Sequence, residues 1–186
     1  MKLNTGNSIG LLGGTFDPIH LGHLHLIEKL SSKFDQIALI PTGQPWMKPE
    51  PPIAKPKDRL AMCEAALDDL SESASEKTFV LDIEVLKSGP TYTFDTLQSL
   101  RAFFPRDNFT LILGTDAALT FNKWKRFEDV KKMAEILVVK RPGAKPSDFK
   151  ELEVNAPDIS STDVREELAA TGKTTKVSKN VMAYIK

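Results

Sequence analysis

The chain has 186 residues, 41% hydrophobic and 27% charged, a balance that suits a soluble globular protein and gives a single domain, residues 1–186, room for a full core. Its 25 basic and 25 acidic residues cancel, so no overall field favours nucleic acid or an anionic membrane, and a polyanion would have to be bound locally. No stretch has the length of a transmembrane helix or the apolar core of a secretory signal, and Cys63 stands alone; these features argue against a membrane span, a disulfide framework and a thiolate metal cluster, and point to the cytoplasm.

A short apolar run, Ile9 to Leu12, leads into GGTFDPIHLGHLH, and Leu21, Leu24, Ile27 and Leu30 then recur every three residues. That order predicts strand, glycine turn and amphipathic helix. Gly13 and Gly14 allow a ligand to approach the backbone, and Pro18 presets an angle suited to a loop or first turn. Amides at a helix start, with the positive end of the helix dipole, form an anion site, and Gly14 to Phe16 are expected to supply them. His20 and His23 lie three apart and so can turn both rings toward one anion, a phosphate being the natural guest. His25 points elsewhere and is read as a structural or surface residue. The glycine spacing fits neither G-x-G-x-x-G nor G-x-x-x-x-G-K-[ST], which argues against a dinucleotide fingerprint and a P-loop.

Gln36 to Ile40 reads as a buried parallel strand stopped by Pro41. The proline-rich stretch Pro41 to Pro56 is no regular element; it leaves the second strand on the same edge as the glycine turn and is expected to form a lid or wall. Lys57 to Leu70 has helical spacing, with Pro56 as a start signal and Cys63 as a small buried apolar residue. Ser71 to Lys77 reads as a surface loop, and Phe79 to Val85 alternates as a third strand. In PTYTFDTL, Pro90 to Leu97, a helix begins, with Thr93 as its cap and Asp95 in the first turn. Phe109 to Leu113 is a strand closed by Gly114-Thr115-Asp116, a second ligand-facing edge. Phe127 to Ala134 is a short helix, and Ile136 to Val139 a fifth strand that runs into Arg141-Pro142-Gly143. A polar connector, Ala144 to Ala156, holds a short edge strand near Leu152 to Val154. ISSTDVR opens a helix that Ser161 or Thr162 can cap, with Asp163 and Glu166 at its positive end, Arg165 in its first turns and Gly172 at its close. Val177 to Ile185 forms a short terminal helix. Strands alternating with helices predict an α/β protein, a parallel sheet with helices on both faces and right-handed crossovers.

With these residues in place, His20-Leu21-Gly22-His23 resembles the H-x-G-H signature of the nucleotidylyltransferase superfamily, which class I aminoacyl-tRNA synthetases share distantly. GGTFDPIHLGHL is similar, almost letter for letter, to the opening of the bacterial nicotinate-mononucleotide adenylyltransferases, and the resemblance extends over nearly the whole chain. It implies a Rossmann-like fold and transfer of the adenylyl group of ATP to nicotinate mononucleotide, with Mg2+ carried mainly by the ATP phosphates. By the same resemblance Gly13, Gly14, Thr15, Phe16, His20 and His23 meet the nucleotide phosphates. Lys48 approaches them from the proline-rich loop, where Met47 stands at a position often held by histidine. Ser160, Ser161, Thr162 and Arg165 hold the β and γ phosphates. Thr91, Tyr92, Thr93, Gly114, Asp116 and Trp124 meet the nicotinate mononucleotide, Trp124 stacking on its ring with a cation–π attraction of roughly 0.5 to 2 kcal/mol. ATP and nicotinate mononucleotide are thus the implied partners, nucleic acid and membrane are not, and a homo-oligomer is left open.

Nicotinamide mononucleotide or phosphopantetheine as acceptor, or a cytidylyltransferase, would keep the same fold. A synthetase-like or RNA-binding fragment is the remote alternative: Lys176-Val177-Ser178-Lys179 resembles the second synthetase signature, but the chain is short and has no basic excess. A nucleotide sensor without turnover is a further alternative, opposed by the intact His20, His23 and Arg165.

Overall fold

Ser8–Gly14 forms β1, and its apolar residues are buried on both sides, Ile9 and Leu11 in one cluster and Leu12 in the other. Such a continuous apolar run belongs to the middle of a parallel sheet. In this computed structural model, which describes residues 6–47, 51–140 and 147–185, β1 pairs in parallel with β2 (Gln36–Pro41) and with β4 (Asn108–Gly114). Leu11 lies between Ala38 and Leu111. β3 (Thr78–Val80), β5 (Glu135–Lys140) and β6 (Lys150–Glu153) complete a six-stranded sheet in the order β3-β2-β1-β4-β5-β6, all pairs parallel.

The helices cover both faces. Against one lie α1 (Leu21–Leu30), α2 (Pro56–Ala66), α7 (Ser161–Thr171) and α8 (Lys179–Met182), through Leu24, Ile27, Leu30, Met62, Cys63, Val164 and Val181. Against the other lie α4 (Thr93–Phe103) and α6 (Phe127–Met133), through Leu97, Leu100 and Val130. No described helix is long and apolar enough to cross a membrane. The chain winds one way from β1 to β3 and the other way from β4 to β6, so the carboxyl ends of β1 and β4 flank a topological switch point, where open α/β sheets bind ligands.

Several boundaries differ from the sequence reading, and the edge strand falls at Lys150–Glu153 instead of near Leu152 to Val154. The third strand stops at Val80, and residues 83–86 turn instead of extending to Val85, the Leu86 amide closing the turn on the Asp82 carbonyl at 3.0 Å. Ser71 to Lys77 is not all loop: Glu72–Ser75 makes a short helix, α3, with Ala74 buried beneath it and Ser71 held by the Glu28 carboxylate. The helix after Pro56 tightens into a 3-10 turn at Leu67–Asp69. The terminal helix is only Lys179–Met182, capped by the Ser178 hydroxyl, which accepts from the Val181 amide. Lys48 and the Arg141-Pro142-Gly143 turn lie outside the described residues.

Candidate active site

Beyond β1 the chain makes a tight turn before α1. Thr42 holds the end of β1, its N–H and hydroxyl both donating to the Gly14 carbonyl at 2.8 and 3.1 Å. Phe16 takes a left-handed backbone (φ 50°), the Asp17-Pro18 peptide is cis, and Ile19 is buried before His20 caps the helix. The amides of Gly14 to Phe16 therefore belong to this turn and not to the helix start, as the sequence reading had them. At the true start, the Leu21 amide donates to the Lys176 carbonyl at 2.9 Å, so the C-terminal segment already uses part of the anion-binding end.

The two histidines come together. Their ring centroids are 3.8 Å apart and tilted by 32°, with His20 buried and the edge of Phe16 set against His23 at 5.0 Å. His23 Nδ1 accepts the His20 amide at 3.2 Å, so in the neutral ring Nε2 carries the hydrogen and can donate to an anion. Gly22 packs closely here: a Cβ would lie 3.1 Å from His20 Nδ1 and 3.4 Å from the Pro157 carbonyl, so a side chain would press on the His20 ring. Phe16 itself is core, 3% exposed, so only its backbone can meet a ligand.

Two residues that the sequence reading left out tie this turn down. Arg59 is fully buried and donates to the carbonyls of Thr15, Thr42, Gly43 and Ala54. Burial lowers its hold on the proton, and the nearby Asp17 charge opposes that. The Asp17 carboxylate accepts the amides of Ile53 and Ala54 at 2.9 and 3.0 Å, closing the exit of the proline-rich segment onto the turn. The available signal was the stripe Arg59, Met62, Cys63 and Ala66, which puts an arginine on the buried face of α2.

The start of α7 docks on the same turn. Its cap is Ser160, not Ser161 or Thr162: the Ser160 hydroxyl accepts the Asp163 amide, and the Asp163 carboxylate accepts the Ser160 hydroxyl and amide at 2.6 and 2.8 Å. Those bonds, the hydroxyl's first, hold the Asp163 pKa below its ordinary value. Ser161 donates to the Pro18 carbonyl at 3.0 Å, and Arg165 donates to the Asp17 carbonyl at 2.8 Å and to the Thr162 hydroxyl at 3.2 Å. Three of the four candidate groups on α7 are thus anchored around residues 17 and 18 or to each other.

A second group of residues lies further along the carboxyl edge. Gln44 bridges to Pro90 and accepts the Thr91 amide at 3.3 Å, which brings the PTYTF segment to the proline-rich loop. Thr91 is buried, and its hydroxyl has no hydrogen-bond partner among the described residues. Thr93 does not cap α4; Tyr92 occupies the cap position and Thr93 is the first helical residue. The Tyr92 ring lies 5.5 Å from that of Trp46, and Lys125 Nζ stands 4.0 Å over it while also reaching Asp95 at 3.7 Å. Trp124, half-buried, packs one side toward Phe121 at 5.2 Å. Gly114 and Asp116 are exposed where β4 passes into α5 (Thr115–Leu119).

Glu84, also unforeseen, is buried beneath α4 and accepts the Thr96 hydroxyl at 2.8 Å. Among the described residues no three His, Cys, Asp or Glu side chains gather in a way that could hold a metal. A hollow of about 780 Å³, lined by Ser8, Asn108, Glu135 and Lys150, lies at the amino ends of the strands, away from all these groups.

The chain matches the cytidylyltransferase-like family over residues 11–167. It is 37% identical to a "Probable nicotinate-nucleotide adenylyltransferase" of Dehalococcoides mccartyi (strain ATCC BAA-2266 / KCTC 15142 / 195), the match covering 95% of this chain and 93% of that protein. It is 38% identical to a protein of the same name from Arthrobacter sp. (strain FB24), over 86% of this chain and 78% of the relative. Among solved structures it is similar to Plasmodium falciparum nicotinic acid mononucleotide adenylyltransferase complexed with NaAD, with a TM-score of 0.78 at 21% identity over 96% of this chain and 94% of the other. That last likeness shows the fold.

Proposed function

The chain belongs to the cytidylyltransferase-like family and, within it, to the nicotinate-nucleotide adenylyltransferases; from that premise we propose that its carboxyl edge joins the adenylyl group of ATP to nicotinate mononucleotide and releases pyrophosphate. The observation that carries this reading is the His20–His23 pair, ring centroids 3.8 Å apart, at the switch point of the sheet.

Both reacting groups are phosphates, so no enzyme nucleophile is needed. The tasks are to overcome repulsion, to align attacking and leaving oxygens, and to stabilise charge that spreads onto the phosphate oxygens. The phosphate of nicotinate mononucleotide attacks the α phosphorus of ATP as the bond to the β phosphate breaks. His20 and His23 donate toward the α phosphate, and the backbone of Gly13 to Phe16 lies close beside it. Arg165, with Thr162 and the Ser160–Ser161 backbone, takes the charge of the departing pyrophosphate. Lys48 adds a cation from the loop. Thr91, Tyr92 and Thr93 receive the pyridine carboxylate, and the buried Thr91 hydroxyl gains an acceptor there. Gly114 and Asp116 line the acceptor nucleotide, and the free face of Trp124 covers its ring. Mg2+ carried mainly by the ATP phosphates would neutralise part of their charge.

The test is pyrophosphate release from ATP, Mg2+ and nicotinate mononucleotide by the wild type, His20→Ala and His23→Ala. Each variant should keep its melting temperature within a few degrees and lose about 10²- to 10³-fold in kcat, the usual effect of removing one preorganised donor. Near-normal turnover in either variant removes that histidine from the mechanism.

A further inference from the structure

Asp17 and Arg59 are buried, 5% and 0% exposed, and neither is among the groups that meet substrate. The segments that carry the phosphate contacts nevertheless converge on these two. Arg59 fastens Thr15 in the turn to Thr42 and Gly43 beyond β2 and to Ala54 at the loop exit. Asp17 joins the same loop exit, through Ile53 and Ala54, to Arg165 of α7. Its main-chain carbonyl accepts from Arg165 at 2.8 Å, and its carboxylate lies 3.9 Å from the same nitrogen.

The Arg165 side chain is 31% exposed, and an arginine in that position has many rotamers unless something holds its fork. We infer that Asp17 is a positioning residue: locked by the loop amides and by the Arg59-held turn, it aims Arg165 at the leaving pyrophosphate. This rests on the reading of Arg165 as a pyrophosphate contact. Asp17 touches no reacting atom and acts through its neighbour.

Asp17→Asn is nearly isosteric and keeps the main-chain carbonyl. Its side-chain amide has a single acceptor oxygen, so one of the Ile53 and Ala54 amides loses its partner, and the charge beside Arg165 disappears. Loss of one hydrogen bond to a buried charged group corresponds to roughly tenfold in an equilibrium constant.

The experiment is calorimetric titration of inorganic pyrophosphate with Mg2+ into the wild type, Asp17→Asn, Arg165→Lys and the double variant, with amide exchange at Ile53 and Ala54 followed in each. Arg165→Lys keeps a cation and removes the fork, so measurable binding remains. Asp17→Asn is expected to weaken pyrophosphate about tenfold in the wild-type background and less than twofold beside Arg165→Lys, because the effect passes through Arg165. Faster exchange at Ile53 and Ala54 with unchanged pyrophosphate affinity would mark a purely structural role and overturn the inference. So would equal losses in both backgrounds. Asp17→Glu, which keeps the charge and displaces it by one methylene, supplies a second variant with an expected intermediate loss; wild-type affinity there also counts against the inference. Absence of pyrophosphate binding in the wild type contradicts the phosphate reading of α7 itself and is seen without any substitution.

Discussion

A Cβ built on Gly13 or Gly114 meets no atom within 4 Å, although both residues lie at the carboxyl ends of central strands, Gly13 next to last in β1 and Gly114 last in β4. Neither has a left-handed backbone, so the fold itself gives no reason for glycine at these two places. Gly22 is the contrasting case, pressed by His20 and Pro157. If the space beside Gly13 and Gly114 belongs to substrate, Gly13→Ala and Gly114→Ala should fold normally and gain up to about 1 kcal/mol from the stiffer unfolded chain. Their KM values for ATP and nicotinate mononucleotide, respectively, should rise about tenfold. Unchanged KM values in steady-state assays would take these glycines out of the site. At this scale His20 and His23 were legible, because a three-residue spacing at a helix start leaves the rings little choice of direction. Asp17 and Arg59 were not. An aspartate before proline reads as a turn former, and an arginine in a helix reads as solvated; only the stripe with Met62, Cys63 and Ala66 betrays the burial of Arg59.

The α7 helix shows how an element can serve both stability and the site. Its capping box joins Ser160 to Asp163, and these bonds depress the Asp163 pKa from its ordinary value of 3.8. A depressed carboxylate stabilises the fold above its unfolded pKa, and that contribution disappears as pH falls through the lower folded value. Asp163→Asn should therefore be less stable than the wild type in urea unfolding at pH 7, and the difference should shrink as pH drops below 3.8. A difference independent of pH would show that the charge is not what stabilises the cap. The sequence carried this helix and its acidic first turn but not the identity of the cap, since Ser160, Ser161 and Thr162 are all competent and only the docking of Ser161 on Pro18 decides among them. The third strand was overextended for a related reason. The alternation from Phe79 to Val85 is real in the sequence, but the chain turns after Asp82, whose carbonyl accepts the Leu86 amide, so the strand stops two residues short of the end of β2 at Pro41.

Across the whole molecule, alternation of strands and helices was enough to anticipate a parallel sheet covered on two faces. It did not contain the strand order. Whether the chain returns beside β1 after β3 depends on α4 and α6 packing on the opposite face from α1 and α2, a tertiary choice that local periodicity does not encode. That choice creates the switch point and sets the β1 turn, the β2 loop and the β4 end on one edge. The sequence placed those segments there through parallelism alone, while α7 comes to them through tertiary bonds, Ser161 to Pro18 and Arg165 to Asp17. The central claim, adenylyl transfer to the acid form of the mononucleotide, is tested most directly by pyrophosphate release at fixed ATP and Mg2+ with nicotinate mononucleotide and nicotinamide mononucleotide in parallel. The account predicts a kcat/KM at least about tenfold higher for the acid, the discrimination expected when a buried hydroxyl and helix-start amides face a carboxylate. Equal or faster release with the amide, or none with either, would contradict it.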